Sequence, residues 1–435
     1  MQVFRVLRWV SFAIICLIAA ACSPSEEVAR EDDEGGTGGG SVTVWSWRTE
    51  DIEGYERIFE TFTEETGIEV EFEAHLNTEY DTILETALKG GKGPDVMQLR
   101  AYGGLQQHID AGYLVPLDGA IDRLDEFSPQ ALAGAQGLED GRIYGVPFAL
   151  QTLQVFYNKT TFADNGIEVP ETYADFTAAA EKLKGAGVTP IAAGGGDVWT
   201  LPILHSVVGA EVYGGDGFVD GILSGEEDFT SPEFIESVEA VGDLMPYLPD
   251  EPAGVAYTDT QIMFTQDQAA MFIGGSWEAG YFSSTNPELD FGTFPMPPRD
   301  SDEGLVPWFT DGSYGVNAQS PNTEEAQQLV EWMASEEYGQ LFVDELKQIS
   351  PVPGVEFDDP IMQEMVAAYE SAPTPYLLLV YFRYGDPTGT DLIGEDIQKM
   401  MLGDLNPSEV GASLDKGVSQ WFKPGELEEV TDVQS

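Results

Sequence analysis

Residues 41–72 read SVTVWSWRTEDIEGYERIFETFTEETGIEVEF, and this stretch decides the fold class. Residues 41–47 alternate apolar and polar side chains, which is the pattern of a half-buried strand. Apolar side chains then recur at helical spacing over 52–62, Gly67 ends the helix, and IEVEF alternates again. A strand, a helix and a second strand in this order predict two parallel strands joined by a helix.

The same alternation of strands and helices continues along the chain. A helix is predicted over 80–88, Gly90-Gly91 breaks it, and a strand follows over 95–99. Further helices are predicted at 173–184, 232–245, 258–266, 323–335, 360–371, 393–402 and 407–421. Roughly 390 folded residues exceed what one hydrophobic core can serve, so we expect at least two lobes of the α/β class. No short repeat is visible, which argues against a solenoid or a propeller.

The first 21 residues have the organisation of an export signal. Arg5 and Arg8 precede an apolar run over 9–18, and three alanines then lead to Cys22. The run is short for a membrane span. A retained N-terminal anchor helix is the alternative to the predicted signal peptide over 1–21.

Cys22 and the residues after it predict a protein tethered to a membrane outside the cytoplasm, at the cell surface or in a periplasm. The small residues before Cys22 resemble a bacterial lipobox, in which the cysteine is lipidated, although Ala19 stands where that motif prefers Leu. Acidic and glycine residues over 22–40 are typical of a flexible linker, and an acidic tail is expected over 424–435. The other cysteine, Cys16, lies within the signal, so cleavage leaves no disulfide in the folded body.

The chain is strongly acidic: it has 77 Asp and Glu against 19 Lys and Arg, a formal net charge of −58. This charge repels the phosphates of nucleic acids, so we expect no nucleic-acid partner. An apolar content of 42% and an aromatic content of 11% exclude a disordered acidic polymer. Because salt screens repulsion between carboxylates, we hypothesise a salt-loving (halophilic) source; an ordinary acidic secreted protein is the alternative.

The sequence does not contain the motifs of the common enzyme classes. His75, His108 and His205 lack the spacing of an HExxH zinc site, and Gly274-Gly-Ser-Trp277 lacks the last glycine of a Gly-x-Ser-x-Gly nucleophile turn. No phosphate-binding P-loop occurs, and paired carboxylates carry little information in so acidic a chain. We predict a protein without cofactor or metal that is not an enzyme.

A series of short motifs runs through the chain in a fixed order. They are Trp45-Ser-Trp47, ETGIEV over 65–70, GPDV over 93–96, DGRIYGVP over 140–147, FYNK over 156–159, PETYADF over 170–176, AMFIGGSW over 270–277 and DGSYGVN over 311–317. In this order, over 41–423, they resemble the bacterial extracellular solute-binding proteins of the maltose-binding type (family 1), which serve ABC importers of sugars. The resemblance implies a periplasmic-binding-protein fold: two lobes, each a mostly parallel sheet flanked by helices, joined by three hinge crossings.

The same resemblance implies lobe boundaries and a function. Lobe one would comprise 41–150 with 293–333, and lobe two 151–292 with 334–423. Such a protein captures a sugar, here expected to be an oligosaccharide, and hands it to the permease subunits of the importer, acting as a monomer. A secreted carbohydrate-active enzyme and a binding protein for a non-sugar solute are the alternatives.

Aromatic and polar side chains near the ends of predicted strands are the candidates for the ligand site. Trp47, Trp199 and Trp277 follow strand ends, where ligands of open α/β sheets bind, and the resemblance implies that Trp277 stacks on the ligand. The other candidates are Arg48, Gln98, Arg100, Gln151, Glu278, Asp311 (expected in a glycine-rich loop), Tyr381, Arg383 and Asp386. A place in the core, in a turn or in a solvated loop is the alternative for each. We expect Trp277→Ala to weaken ligand binding strongly and to leave the melting temperature nearly unchanged.

Overall fold

The computed structural model describes residues 40–299, 301 and 304–425, so the predicted signal peptide, Cys22, nearly all of the linker and nearly all of the acidic tail lie outside the described residues. The strands are β1 Ser41–Ser46, β2 Glu69–Ala74, β3 Val96–Arg100, β4 Val146–Asn158, β5 Thr189–Ala192, β6 Ala269–Gly275, β7 Phe291–Phe294, β8 Val306–Val316 and β9 Pro373–Pro375. The α-helices are α1 Ile52–Thr66, α2 Tyr80–Lys89, α3 Gly103–Asp110, α4 Pro129–Ala133, α5 Lys159–Asp164, α6 Tyr173–Gly185, α7 Thr200–Tyr213, α8 Asp216–Ser224, α9 Pro232–Leu244, α10 Tyr257–Thr265, α11 Glu278–Thr285, α12 Thr323–Met333, α13 Glu336–Leu346, α14 Pro360–Ser371, α15 Leu377–Tyr381, α16 Gly389–Met401 and α17 Pro407–Val418. Within the described ranges, none of these helices combines the length and the apolar character needed to cross a bilayer.

The opening strand–helix–strand unit forms as predicted. β1 pairs in parallel with β2 along its whole length and with β3 on its other side. Helix α1 buries the apolar side that its spacing predicts, including Phe59 and Phe62. Gly67 ends the helix in the left-handed region, with φ of 76°, and its N–H donates to the carbonyl oxygen of Thr63.

One long strand, β4, belongs to both sheets. The first half of β4, from Val146 to Thr152, pairs with β8, whereas its second half, from Leu153 on, pairs with β6 and β7. The strand order is β2-β1-β3-β8-β4-β6-β5. The pairs β1–β2, β1–β3 and β5–β6 are parallel, whereas β4 and β8 pair antiparallel with each other, and β3–β8 and β4–β6 are antiparallel. The predicted α/β architecture with two sheets and covering helices is confirmed.

Each sheet has its own hydrophobic core, and the cores define two lobes. We call first lobe the elements around β1–β3, the start of β4, the end of β8, α12 and α13; its core includes Phe148 and Tyr314. We call second lobe the elements around β5–β7 with α6–α11 and α14–α17; its core includes Phe176, Phe234 and Phe272.

The cores differ in two places from the lobe boundaries implied by the resemblance. Phe294 and Met296, expected in lobe one, pack in the core of the second lobe. Tyr338 and Phe342 of α13, expected in lobe two, are buried in the core of the first lobe, and α13 packs against α1. We therefore propose that the second crossing lies within β8 and that the third follows α13.

Two local features differ from what the sequence pattern indicates. Asp311 lies inside β8, not in a glycine-rich loop. The glycine after it permits close strand pairing, since a Cβ at Gly312 would lie 2.1 Å from the carbonyl oxygen of Leu99. Helix α7 is not predicted, because it is buried on nearly all sides from Leu201 to Ala210 and therefore has no alternation of apolar and polar faces.

Candidate functional site

The three candidate tryptophans lie in the segments that follow strands, as the sequence predicts. Trp47 follows β1, Trp199 lies between β5 and α7, and Trp277 lies between β6 and α11. Charged side chains from both lobes meet beside these strand ends. We call the space between them the cleft.

The second lobe contributes an aromatic wall, defined by Trp199, Tyr257 and Trp277. The indole N–H of Trp277 donates to the hydroxyl of Tyr257 at 2.8 Å. The Tyr257 ring meets Trp199 edge-on, with ring centroids 4.7 Å apart, and its backbone N–H donates to Asp197 at 2.7 Å. The three rings border an apolar cavity of about 20 Å³ that Ile203 and Phe272 also line. A fixed wall of this kind suits the apolar face of a ring-shaped ligand.

The first lobe contributes a buried arginine surrounded by carboxylates. Arg48 follows Trp47, and its Nε lies 2.8 Å from Asp51 Oδ2 and 3.4 Å from Glu50 Oε1. Burial raises the pKa of Asp51 to about 6, while the Arg48 charge acts in the opposite direction. Burial alone would lower the pKa of Arg48, but the Asp51, Glu50 and Asp311 charges raise it, so Arg48 remains charged.

Two further carboxyl groups, Glu278 and Asp311, are close enough for their pKa values to be influenced by the charge of this arginine. Glu278 at the start of α11 is wholly buried, and one of its oxygens accepts a hydrogen bond from Gln261 at 2.9 Å. Burial raises the pKa of Glu278 well above its usual value. Burial also raises the pKa of Asp311, whereas Arg48 and Arg100 lower it. The cleft therefore holds hydrogen-bonding groups that are poorly solvated and available to a polar ligand.

Two arginines from different lobes approach each other at another side of the cleft. The Arg100 guanidinium lies 4.0 Å from the centroid of the Trp47 ring, a cation–π contact, and its Nε lies 3.2 Å from Asp81. Arg383 follows α15 in the second lobe; burial and the Arg100 charge lower its pKa. A Cβ at Gly103 would lie only 2.1 Å from the carbonyl oxygen of Arg383, so the lobes are in close contact here.

Buried amides connect β4, β8 and the segment after α13, where we propose the three crossings to lie. The side-chain N–H of Gln151 in β4 donates to Asp311 of β8 at 3.1 Å and to Gln348, which follows α13, at 3.0 Å. Gln348 donates in turn to Asp51 at 2.9 Å, and the Gln151 oxygen accepts from Ser276 at 2.6 Å. Gln151 is wholly buried with both ends bonded, so it joins the crossings instead of offering a free group to ligand.

Four other predicted site residues are placed differently from the expectation. Gln98 is wholly buried in the first lobe, where it accepts from Ser46 and donates to Tyr55, because the tyrosine and serine hydroxyls around it need an amide partner. Trp47 packs in the same core beneath Arg100. Tyr381 ends α15 and belongs to the second-lobe core.

Asp386 is the fourth predicted site residue that is placed differently from the expectation. It is exposed on the loop between α15 and α16, where water solvates its charge. We therefore leave these four, together with Gln151, out of the ligand-contacting set.

Sequence reasoning missed Tyr257, Asp51 and Gln348. Asp51 could have been identified from the sequence, since a carboxylate three residues after Arg48 is well placed to pair with it. No sequence pattern indicated Tyr257 or Gln348. Each lies far along the chain from Trp47, and only the fold brings it to the cleft. Across the described residues, no group of three or more His, Cys, Asp and Glu side chains is placed to share a metal ion.

A family model of bacterial extracellular solute-binding proteins matches residues 46–340. The chain belongs to this family. This solute-binding protein is similar to the multiple sugar-binding protein of Streptococcus mutans, with 25% identity over 276 residues that cover 60% of this chain and 64% of that protein. It is also similar to the maltotriose-binding protein of Pyrococcus abyssi, with 26% identity over 270 residues that cover 60% of this chain and 54% of that protein. The matched regions therefore span between about half and two thirds of these relatives.

A solved structure shares the fold of this solute-binding protein. The chitin oligosaccharide binding protein superimposes with a TM-score of 0.76 at 22% identity, over 88% of this chain and 98% of that chain. The two-lobed architecture is thereby shown. The relatives are binding proteins rather than enzymes, and family membership places the chain outside the cytoplasm.

Proposed function

We propose that this solute-binding protein captures an oligosaccharide between its lobes and delivers it to the permease subunits of an ABC importer. One observation carries the proposal: an aromatic wall on the second lobe is combined with a buried group of charged side chains around Arg48 on the first. Sugars have apolar C–H faces that pack on aromatic rings and hydroxyls that bond to guanidinium and carboxylate groups. The names of relatives, which include binding proteins for multiple sugars, maltotriose and maltodextrin, support a sugar ligand.

The proposed ligand-contacting set comes from both lobes. Its members have either an aromatic face or a charged group directed toward the cleft, and they are Arg48, Arg100, Trp199, Tyr257, Trp277, Glu278, Asp311 and Arg383. A ligand that touches both lobes gains all of these contacts only when the lobes are together, so it shifts the population toward a closed arrangement. The importer would recognise that arrangement and receive the sugar chemically unchanged.

A ligand screen tests the proposal. Thermal-shift measurements with maltotriose, raffinose, galactotriose, xylotriose and diacetylchitobiose, followed by calorimetry, should identify at least one sugar that binds and raises the melting temperature. The screen should include putrescine and glycine betaine as non-sugar solutes, and an assay for shortened sugars after incubation. Binding of only a non-sugar solute would support that alternative, and turnover of the sugar would support an enzyme.

We also propose that Cys22 carries the lipid that holds a monomeric protein at the membrane, with residues 23–40 as the linker. The lipobox-like residues and the acidic, glycine-rich composition support this. Mass spectrometry of the mature chain should show acylation at Cys22; an unmodified cysteine or a retained 1–21 segment would contradict it. The net charge of −58 supports a salt-rich habitat, and stability that is unchanged after dialysis to low millimolar salt would contradict that part.

A further inference from the structure

Two buried polar atoms at the cleft have no hydrogen-bond partner among the described residues. They are Nη2 of Arg48 and Oε1 of Glu278. Arg48 is 4% exposed and Glu278 is wholly buried, so neither atom is compensated by bulk water. An unpaired charged group in a protein interior is costly, and native sites normally supply such groups with a ligand atom or a bound water.

The two atoms belong to different lobes, and a chain of buried hydrogen bonds connects their neighbourhoods: Ser276, two residues before Glu278, bonds to Gln151, Gln151 to Gln348, and Gln348 to Asp51, the partner of Arg48. Arg48 follows β1 of the first lobe, and Glu278 begins α11 of the second. The charges of Glu50, Arg48 and Asp51 act on the pKa of the Glu278 carboxyl, in addition to the dominant effect of its burial. A ligand atom that satisfies both groups would therefore join one lobe to the other.

The opposite ends of both side chains are already held. Arg48 Nε is bonded to Asp51, and Asp51 also accepts from Gln348 at 2.9 Å. The second oxygen of Glu278 accepts from Gln261 at 2.9 Å. Since these contacts fix the orientation of each group, little side-chain entropy remains to be lost when the free atoms bind.

The chemistry of the free pair selects one kind of ligand group. A guanidinium N–H needs an acceptor, whereas a carboxylate oxygen needs a donor. An ammonium group supplies only donors, an anion only acceptors, and a hydroxyl supplies both. We propose that one hydroxyl of the bound sugar lies between Arg48 and Glu278, accepting from Nη2 and donating to Oε1. This inference rests on the proposed function and adds the requirement that this hydroxyl be unsubstituted.

The test uses the sugar from the screen that binds with the highest affinity, and calorimetry on the full chain. Glu278→Gln keeps the size of the side chain, but its amide cannot accept from both Gln261 and the hydroxyl. We expect its Kd to rise about 10- to 100-fold, the effect of losing a buried hydrogen bond and leaving the ligand donor unpaired. Glu288→Gln, which removes the same charge at an exposed position beyond α11, should leave the Kd within about twofold.

A double-mutant cycle separates this subsite from a general effect of charge. Arg48→Gln should also weaken binding, and the double variant should lose much less than the product of the two single losses, because both residues hold the same hydroxyl. Single-deoxy analogues of the sugar add an independent readout. One of them should bind the wild type at least 10-fold more weakly, and that discrimination should disappear in Glu278→Gln.

The outcomes distinguish the two levels of the proposal. If no sugar in the screen binds, the proposed function is wrong. If a sugar binds but Glu278→Gln keeps the wild-type Kd, the proposal of a shared hydroxyl is wrong and the proposed function stands. The same holds if the affinity losses of Glu278→Gln and Arg48→Gln multiply fully in the double variant. A crystal structure with the sugar bound and only a water molecule between Arg48 and Glu278 would overturn it as well.

Discussion

Alanine at position 103 would place a methyl group between the lobes. An ideal Cβ on Gly103 lies 2.1 Å from the carbonyl oxygen of Arg383 and 2.6 Å from the backbone nitrogen of Tyr384. A normal carbon–oxygen contact is about 3.4 Å or more, so the two backbones would have to separate by roughly 1 Å. Gly103 does not have a positive φ, and it begins α3, where alanine is a good helix former. The substitution should therefore leave the folding of the first lobe intact and act on the contact with the second.

The expected size of the effect follows from overpacking, which costs about 1–3 kcal/mol at a well-packed contact. If ligand binding requires the lobes to touch here, the Kd for the sugar identified in the screen should rise about 5- to 150-fold. Small-angle scattering of the sugar-bound variant should show a larger radius of gyration than that of the wild type. Gly242→Ala is the matched control, because a Cβ on this helical glycine of α9 would meet no atom within 4 Å. A wild-type Kd for Gly103→Ala would refute the reasoning.

Three further predictions concern stability. Trp277→Ala should lower the free energy of unfolding by about 3–5 kcal/mol as well as weaken sugar binding, because the side chain is only 9% exposed and packs in the second-lobe core; this prediction replaces the expectation of a nearly unchanged melting temperature. Gln348→Leu should cost about 1–3 kcal/mol in urea unfolding, since Asp51 and Gln151 each lose a buried partner. Burial lowers the pKa of His205 to about 3. Its stabilising contribution is complete above the unfolded pKa near 6.5 and is lost as the pH falls toward 3, by about 1.4 kcal/mol per unit.

Each of these stability predictions has a comparison that separates it from a nonspecific effect. Trp277→Phe keeps a ring and should lose less than half as much stability as the alanine variant. Gln328→Leu, at an exposed amide of α12, should change unfolding by less than about 0.5 kcal/mol. Between pH 6.5 and 5, wild type should lose about 1.6 kcal/mol more than His205→Gln. Equal losses in wild type and His205→Gln would show that His205 does not titrate on unfolding.

The fold was largely predictable because local patterns and tertiary structure agree. The alternation in β1 and the helical spacing in α1 both mark the side that is buried, so pattern and packing give the same answer. Helix α7 was not predictable from periodicity, since an element surrounded by other elements has no polar face. The position of Phe342 in the first lobe was also hidden, because no helix was predicted over α13 and the resemblance assigned this segment to lobe two.

The site was predictable to a smaller extent. Strand ends located Trp199 and Trp277, because the carboxyl ends of parallel strands meet at one edge of a sheet. Gln98 has the same sequence context as a ligand-binding residue, but Tyr55 and Tyr314 surround it with hydroxyls that no pattern reveals. Tyr257 reaches the cleft only through tertiary packing.

The long strands β4 and β8, whose side chains pack in both cores, also affect how the chain can be synthesised and folded. The first-lobe core is complete only when Tyr314 of β8 and Phe342 of α13 have joined β1–β3. A nascent chain that ends before β8 thus lacks side chains of both cores, since Phe309 of β8 packs in the second-lobe core. Contacts of such large sequence separation form slowly. Neither lobe corresponds to a single continuous segment that could be expressed alone, and export must deliver most of the polypeptide before its first lobe can form.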